Sequence, residues 1–340
     1  MARVTLAVLT YNGRELLDVV LPSALALDYA DRRVVVVDNG SGDGTIEHVR
    51  ERYPDVEVVA LGRNLGVSAG LNRCVEAADG EYVALLNNDL ELDPGWLGPL
   101  VEALDADPGA ASASGKLLRY RDRDRIDAAG DWLLWSGATI NRGHGEPDDG
   151  RYGAPETVFA ACAGAALYRR AAFADVGPFD ESFFAYIEDV DWAMRAQLRG
   201  WRSRYVPAAR AFHMGGETAR RTPERFARLQ ARNALVFVAK TFPRWALVRH
   251  GWKVALHHAL WLGAAIREGR GRAHLGAWAD AARALPAALR ARRQIQAGAR
   301  ASRAELEALV ARGVAGDTAL ERLAFELAPA AVRRRRGAVL

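Results

Sequence analysis

The chain has 340 residues, half of them hydrophobic and 26% charged, which excludes a disordered or low-complexity polymer and leaves length for one large domain or two. Two cysteines, Cys74 and Cys162, cannot build a disulfide framework or a zinc site by themselves. The net charge of +4 hides a split: residues 1–200 carry 19 basic against 33 acidic side chains, a net of −14, and residues 201–340 carry 27 against 9, a net of +18. An acidic half suited to catalysis or binding thus precedes a basic half suited to an anionic partner.

The first elements alternate. Val4–Leu9 is an apolar run that enters polar Thr10-Tyr11-Asn12, so it reads as a first strand and not as a signal peptide. A helix is expected over 15–27, a strand over Arg33–Asp38, a turn over 39–44, a helix over 45–53 and a strand over 56–59. A helix over 68–78 and a strand over 81–86 follow. Continuous apolar strands separated by helices predict an α/β fold with a mostly parallel sheet covered on both faces. Ligands of such sheets sit outside the carboxyl ends of the strands. Three polar clusters fall there: Thr10-Tyr11-Asn12, Asp38-Asn39-Gly40 and Asn87-Asn88-Asp89. Residues 119–155 read as an irregular excursion around a short hairpin. Apolar structure returns over 157–168, a helix is expected over 188–198 and a strand over 204–206. Beyond about 217 the chain reads as helical, basic and Trp-containing.

Asp38 precedes Gly40, Gly42 and Gly44, but GxGxG after a second strand is not the spacing of a dinucleotide fold. At a ligand rim, the Asp38 carboxylate suits a nucleobase or ribose; in a plain turn it is a cap. Asp89 suits a hard divalent cation whose other ligands come from a diphosphate, or an ordinary turn. Glu188-Asp189-Val190-Asp191 crowds three carboxylates among Phe183, Phe184, Tyr186, Ile187 and Trp192. Mutual repulsion and apolar neighbours favour a general base, while a helix start also welcomes acids. His213 is either structural or a second metal ligand. HExxH and CxxC are absent from the sequence, and no nucleic-acid-binding module is recognisable.

Taken in order, Leu9-Thr10-Tyr11-Asn12-Gly13, Val36–Ser41, Arg63-Asn64-Leu65-Gly66 with Gly70-Leu71-Asn72, Leu85–Asp89, Phe179-Asp180-Glu181 with Glu188–Asp191, and His213 with Gly216 resemble the family 2 glycosyltransferases of the GT-A fold, in their rhamnosyltransferase-like bacterial branch. The resemblance spans about residues 4–218. It implies a nucleotide-diphosphate sugar donor, with dTDP-L-rhamnose first and a UDP-sugar second. It also implies a divalent metal, Mn or Mg, and an inverting transfer to a hydroxyl of a glycan or lipid-linked acceptor in cell-surface polysaccharide assembly. By the same resemblance Thr10, Asn12, Asp38, Arg63, Asn64, Asn87 and Asn88 border the donor. Asp89 and His213 hold the metal, Asp189 is the catalytic base, and Glu188, Asp191 and Trp192 support it or meet the acceptor. Asn87 stands where the family's first Asp is expected, which leaves Asp89 as the main metal carboxylate. The rival readings are an inactive membrane- or polysaccharide-binding scaffold and a sugar nucleotidyltransferase.

The expected organisation is a catalytic domain over 1–217, divided near 118 into a nucleotide-sugar half and an acceptor half. A basic amphipathic helical region over 218–300 and an Arg-rich tail over 301–340, helical or partly disordered, follow. A helix over 244–256 and beyond places Trp245, Val248, Trp252, Leu256 and Ala259 on one face, with Arg249, His250 and Lys253 to one side. That face suits an anionic membrane surface, or packs on protein or on a second copy of the chain. Arg333–Arg336 adds attraction to anionic lipid. No apolar run is long enough to span a bilayer, so the expected place is cytoplasmic, peripheral on the inner face of the cell membrane.

Overall fold

The computed structural model describes residues 3–162, 164–215, 223–312, 322–324 and 327. Gly216 and the Arg333–Arg336 run lie outside the described residues. By contacts the chain forms two compact units. One comprises residues 1–130, 141–196 and 201–217; the other comprises 131–140, 197–200 and 218–340. The excursion expected inside the acceptor half therefore lends its hairpin segment, 131–140, to the second unit.

The first unit begins with strand β1 (Val4–Thr10), helix α1 (Arg14–Leu25), β2 (Arg32–Asp38), α2 (Thr45–Arg52), β3 (Glu57–Ala60), α3 (Val67–Ala77) and β4 (Tyr82–Asn87). All seven residues of β1 are buried, as a strand covered on both faces requires. Helix α1 buries Leu17, Val20, Leu21 and Ala24, one face at helical spacing. β5 (Leu90–Leu92), α4 (Leu97–Ala106), β6 (Ala110–Arg119) and β7 (Asp122–Ala128) follow. After β8 (Asp131–Leu133) and β9 (Thr139–Asn141), a two-stranded hairpin, come β10 (Glu156–Val158), β11 (Ala165–Arg169), α5 (Arg170–Val176), a 3₁₀ turn at Glu181–Phe183, α6 (Glu188–Leu198) and β12 (Arg202–His213).

The large sheet runs β10-β12-β6-β11-β4-β1-β2-β3, with β5 on β12 and β7 on β6. β4, β1, β2 and β3 are parallel, as are β6 and β12; β11 enters between them antiparallel to both neighbours. The registers Thr10↔Asp38 and Leu9↔Asn87 set the three expected polar clusters side by side at one rim.

Sequence patterning missed β5, β6 and β7 and shortened β12. β6 reads Ala-Ala-Ser-Ala-Ser-Gly, residues of weak strand propensity, and is held instead by burial between β11 and β12. In β12 the register shifts between Val206 and Arg210. The Ala209 carbonyl is so close to Gly115 that a Cβ there would lie 1.9 Å from it, so this bulge requires glycine on β6.

The second unit is helical: α7 (Pro223–Thr241), α8 (Arg244–Arg267), α9 (Gly271–Ala297) and α10 (Arg303–Ala311). No helix among the described residues is long and apolar enough to cross a membrane. The expected face of α8 is revised. Trp245 is half-buried with its ring 5.3 Å from Trp135, and His250 is buried and stacked on the same indole at 4.8 Å. The exposed stripe is Val248, Trp252, Leu256 and Leu260, at four-residue spacing.

Candidate active site

The strand ends build a polar rim. Asp38 is fully buried; its Oδ2 accepts hydrogen bonds from the Gly40 and Ser41 N–H groups at 3.1 and 3.0 Å, while Oδ1 has no partner. A buried, open carboxylate oxygen at a strand end is an acceptor waiting for a donor, such as a base imide or a ribose hydroxyl. Asn12, with φ of 49°, donates its N–H to Ser41 Oγ at 2.8 Å and accepts from the Gly42 N–H at 2.9 Å, which ties the first rim loop to the second. Asn88 donates to Thr10 Oγ1 at 2.9 Å. Gly13 lies beneath that bond, where a Cβ would fall 2.1 Å from Asn88 Nδ2.

Asn39 was not among the expected site residues, yet it organises the next loop. It accepts from the Leu65 N–H at 2.9 Å and donates to the Gly66 carbonyl at 3.0 Å. Asn64 accepts from the Gly66 N–H at 2.9 Å and so shapes its own turn. Gly40, at φ of +79°, sits 2.4 Å from the Arg63 backbone when given a Cβ. Glycine here lets the two loops touch, and the Arg63 side chain is left exposed at the rim.

His213 and Asp89 meet where β12 runs beside β5. His213 Nε2 lies 3.3 Å from Asp89 Oδ2, and its Nδ1 lies 2.7 Å from Asp127 Oδ2. The Asp127 carboxylate is also 3.4 Å from His144 Nδ1. Burial opposes charge on His213, but the hydrogen bonds to Asp127 and Asp89 outweigh it and carry the imidazolium up to about 10. Burial would raise Asp127, yet His144 and His213 hold it well below the usual carboxylate range.

One carboxylate and one imidazole nitrogen converging at this spacing fit two ligands of a divalent cation, and Asp127 supplies the outer hydrogen bond that fixes such a histidine. Among the described residues no group of three or more such side chains converges, so a cation held by this pair would take its other ligands from outside the chain. Asp127 was missed because Arg121–Asp127 alternates charge and nothing local distinguishes it from Asp122 or Asp124.

The third cluster lies at the start of α6. Phe184, Tyr186 and Ile187 have φ of 63°, 73° and 72°, a conformation that costs about 1–3 kcal/mol per residue and persists where the surroundings impose it. The neighbouring loop imposes it: the Phe184 carbonyl accepts from the Ser68 N–H at 3.1 Å, and Gly66 packs against it with room for no Cβ. Asn72 adds bonds to the Phe179 backbone and Glu181. The loop at 63–68, held by Asn39, thereby positions Glu188 and Asp189.

Glu188 is buried, and its Oε2 has no hydrogen-bond partner. Burial, then the neighbouring Asp189 charge, pushes it up to about 8. Asp189 is partly exposed and accepts from the Val190 N–H at 2.8 Å. Asp191 is fully buried and paired with Arg195 at 2.9 Å; that guanidinium also bonds the Val176 and Pro178 carbonyls. Trp192 is 1% exposed, donates to the Gly177 carbonyl and packs on Phe173, Phe179 and Tyr168. Asp191 and Trp192 therefore hold α6 in place; the buried indole cannot meet an acceptor.

The chain is 30% identical over 265 residues to an N-acetylglucosaminyl-diphospho-decaprenol L-rhamnosyltransferase of Mycobacterium tuberculosis, covering 70% of this chain and 86% of that protein. It is 25% identical over 217 residues to a poly-beta-1,6-N-acetyl-D-glucosamine synthase of Staphylococcus aureus, covering 63% of this chain and 50% of that protein. Among solved structures it is similar to a mannosyltransferase of Pyrobaculum calidifontis in complex with GDP-Man and Mn²⁺, with a TM-score of 0.54 and 23% identity over 87% of this chain and 84% of that one. It is also similar to GalNAc-T7 with UDP, GalNAc and Mn²⁺, with a TM-score of 0.55 and 15% identity over 70% and 47%. These likenesses show the GT-A fold. The profile of glycosyl transferase family 2 matches residues 5–177; the chain belongs to that family and is a glycosyltransferase.

Proposed function

We propose that the enzyme transfers a sugar with inversion from a nucleotide-diphosphate donor to a hydroxyl of a lipid-linked glycan, with L-rhamnose carried on dTDP as the first donor and a UDP-sugar as the second. The observation that carries this reading is the open Asp38 Oδ1 at the rim that also bears Asn88 and Asp89. Support for the sugar and acceptor comes from the name of the mycobacterial relative. Thr10, Asn12, Asp38, Arg63, Asn64, Asn87 and Asn88 border the donor. Asp89 and His213 would hold Mn²⁺ or Mg²⁺, which offsets negative charge on the departing diphosphate. Asp189 takes the proton of the acceptor hydroxyl. The hydroxyl oxygen bonds to the anomeric carbon as the bond from that carbon to the diphosphate oxygen breaks, so the product is inverted and no protein nucleophile is used.

The catalytic region is residues 1–217, and the helical region brings it to the inner surface of the membrane. Val248, Trp252, Leu256 and Leu260 supply the apolar stripe, with Arg249 and Lys253 in the same turns. A thermal-shift screen of dTDP-, UDP- and GDP-sugars, each with and without Mn²⁺ or Mg²⁺, tests the donor. Stabilisation by dTDP-L-rhamnose is expected; a shift with GDP-sugars alone overturns the donor assignment. Release of nucleoside diphosphate only when a GlcNAc-diphosphate lipid is added supports the acceptor.

A further inference from the structure

The helical unit contains a groove of about 700 Å³ that the reaction does not use. Its lining includes Arg244, Arg249 and Arg303 together with Trp245, Val248 and Leu306. Leu306 is buried and forms an apolar floor. The Arg303 guanidinium lies 4.8 Å from the centre of the Trp245 ring and is bonded to Glu307 at 2.9 Å, so its charge is already matched. Arg244 and Arg249 are exposed and have no acidic partner among the described residues.

Two helix starts flank the groove, and they differ. α10 is closed by its own capping box, Ser302 with Glu305. α8 begins after Pro243 with no side-chain cap, and Pro243 and Arg244 at the positive end of this 24-residue helix both line the groove. Val248 is both a wall of the groove and, at 80% exposure, the first residue of the apolar stripe that continues through Trp252, Leu256 and Leu260. A cationic pocket that opens onto an apolar stripe is complementary to an amphiphile with an anionic head and a hydrocarbon tail.

We infer that this groove binds the headgroup phosphate of an anionic membrane lipid, with Arg244 and Arg249 as its principal donors and the stripe beneath the acyl region. The inference rests on the membrane-surface reading above and adds a defined headgroup site to it. Charge spread evenly over the helical unit would attract the same membrane without any site, so the test compares equal charge changes at two places. Full-length protein is sedimented with vesicles of phosphatidylcholine alone or mixed with phosphatidylglycerol. The variants are Arg244→Ala with Arg249→Ala, and Arg272→Ala with Arg290→Ala, both of the latter exposed and outside the groove. Unchanged thermal unfolding confirms that each pair folds.

The wild type should partition to the phosphatidylglycerol vesicles. The groove pair should lose about thirtyfold, at about fivefold per arginine near an anionic surface, and the control pair less than about threefold. Equal losses in the two pairs overturn the groove and leave the membrane reading standing. Equal wild-type recovery on neutral and anionic vesicles also overturns it. No wild-type recovery on any vesicle overturns both. Stabilisation by inorganic phosphate at matched ionic strength, with no vesicle binding, assigns the groove to a soluble phosphate and overturns the lipid.

Discussion

Both units bury polar atoms without hydrogen-bond partners, among them Ser68 Oγ, Trp96 Nε1 and Ser114 Oγ in the first and Trp278 Nε1 in the second, but the titratable groups so left are of opposite kinds. In the first unit, Asp38 Oδ1 and Glu188 Oε2 are unpartnered acid oxygens, at the end of β2 and the start of α6. Both stand beside backbone of positive φ, at Gly40 and at Tyr186–Ile187. In the second unit they are imidazole nitrogens of His250, His258 and His274, packed among Trp135, Trp261 and Trp278. Asp38 ends at the strand rim, where a ligand can answer it, and Glu188 lies next to Asp189. The imidazoles sit as neutral rings in an aromatic core, where shape outweighs the lost hydrogen bonds. An orphaned polar atom therefore signals chemistry only when the surrounding backbone opens to a ligand, and the two units should separate in their response to mutation and to pH.

The largest effect should come at α6. Asp189→Asn keeps the shape and removes the proton acceptor, so kcat should fall by about 10²–10⁴-fold while donor binding is nearly unchanged. Wild-type turnover in that variant, measured with the donor identified by thermal shift, would place the base elsewhere. The next effect is at the β12 end. Asp127→Asn removes the carboxylate at His213 Nδ1 and should weaken Mn²⁺-dependent donor binding by about 10–100-fold, as His213→Ala and Asp89→Ala should. Calorimetric titration of the donor with and without Mn²⁺ reads this. If Asp127→Asn changes thermal stability and not the Mn²⁺ dependence, Asp127 only packs β7 against β12.

What was legible in the sequence follows the same division. Thr10, Asp38 and Asn88 could be located because a buried strand and its terminal turn are adjacent in sequence, and parallel register then aligns the ends. The family resemblance supplied the pairing of Asp89 with His213. Asp127 and Asn39 were missed as site residues because their roles depend on partners 86 and 26 positions away. The face of α8 was half legible: helical spacing grouped Trp245 with Trp252, but only the packing of Trp135 decides that Trp245 turns inward.

A smaller, signed effect concerns acid. Burial lowers His258 to about 3 and His250 to about 4, against 6.5 for the free side chain. The unfolded chain therefore takes up protons that the folded helices refuse. Stability contributed by these rings is full above about pH 6.5 and is lost as pH falls towards 3, by about 1.4 kcal/mol per pH unit at most for His258 and by less for His250. Glu188 has the opposite sign: its folded value is raised, so protonation between about 8 and 4.5 favours the folded state. Urea unfolding followed from pH 7 to pH 5 should show falling stability, and His258→Leu should flatten the slope. An unchanged slope in His258→Leu would show that the imidazole is charged in the fold and that the two units do not differ as argued.

The smallest expected effect is the most discriminating. With its carboxyl pushed up to about 8, Glu188 is mostly protonated at pH 7, and a glutamine copies a protonated carboxyl closely in size and in hydrogen bonding. Glu188→Gln should therefore keep kcat within about threefold of wild type at pH 7, where Asp189→Asn nearly abolishes it. Above pH 8 the two proteins should part. Wild-type Glu188 ionises with a buried, unpartnered oxygen beside Asp189, and like-charge repulsion strains a turn already held at positive φ. Its kcat should decline there, while the glutamine variant, with nothing to ionise, stays flat. A pH profile of both variants from 6 to 9.5 reads the difference. Loss of turnover in Glu188→Gln with retention in Asp189→Asn would exchange the two roles: the buried acid would be the base, and the partly exposed one its support.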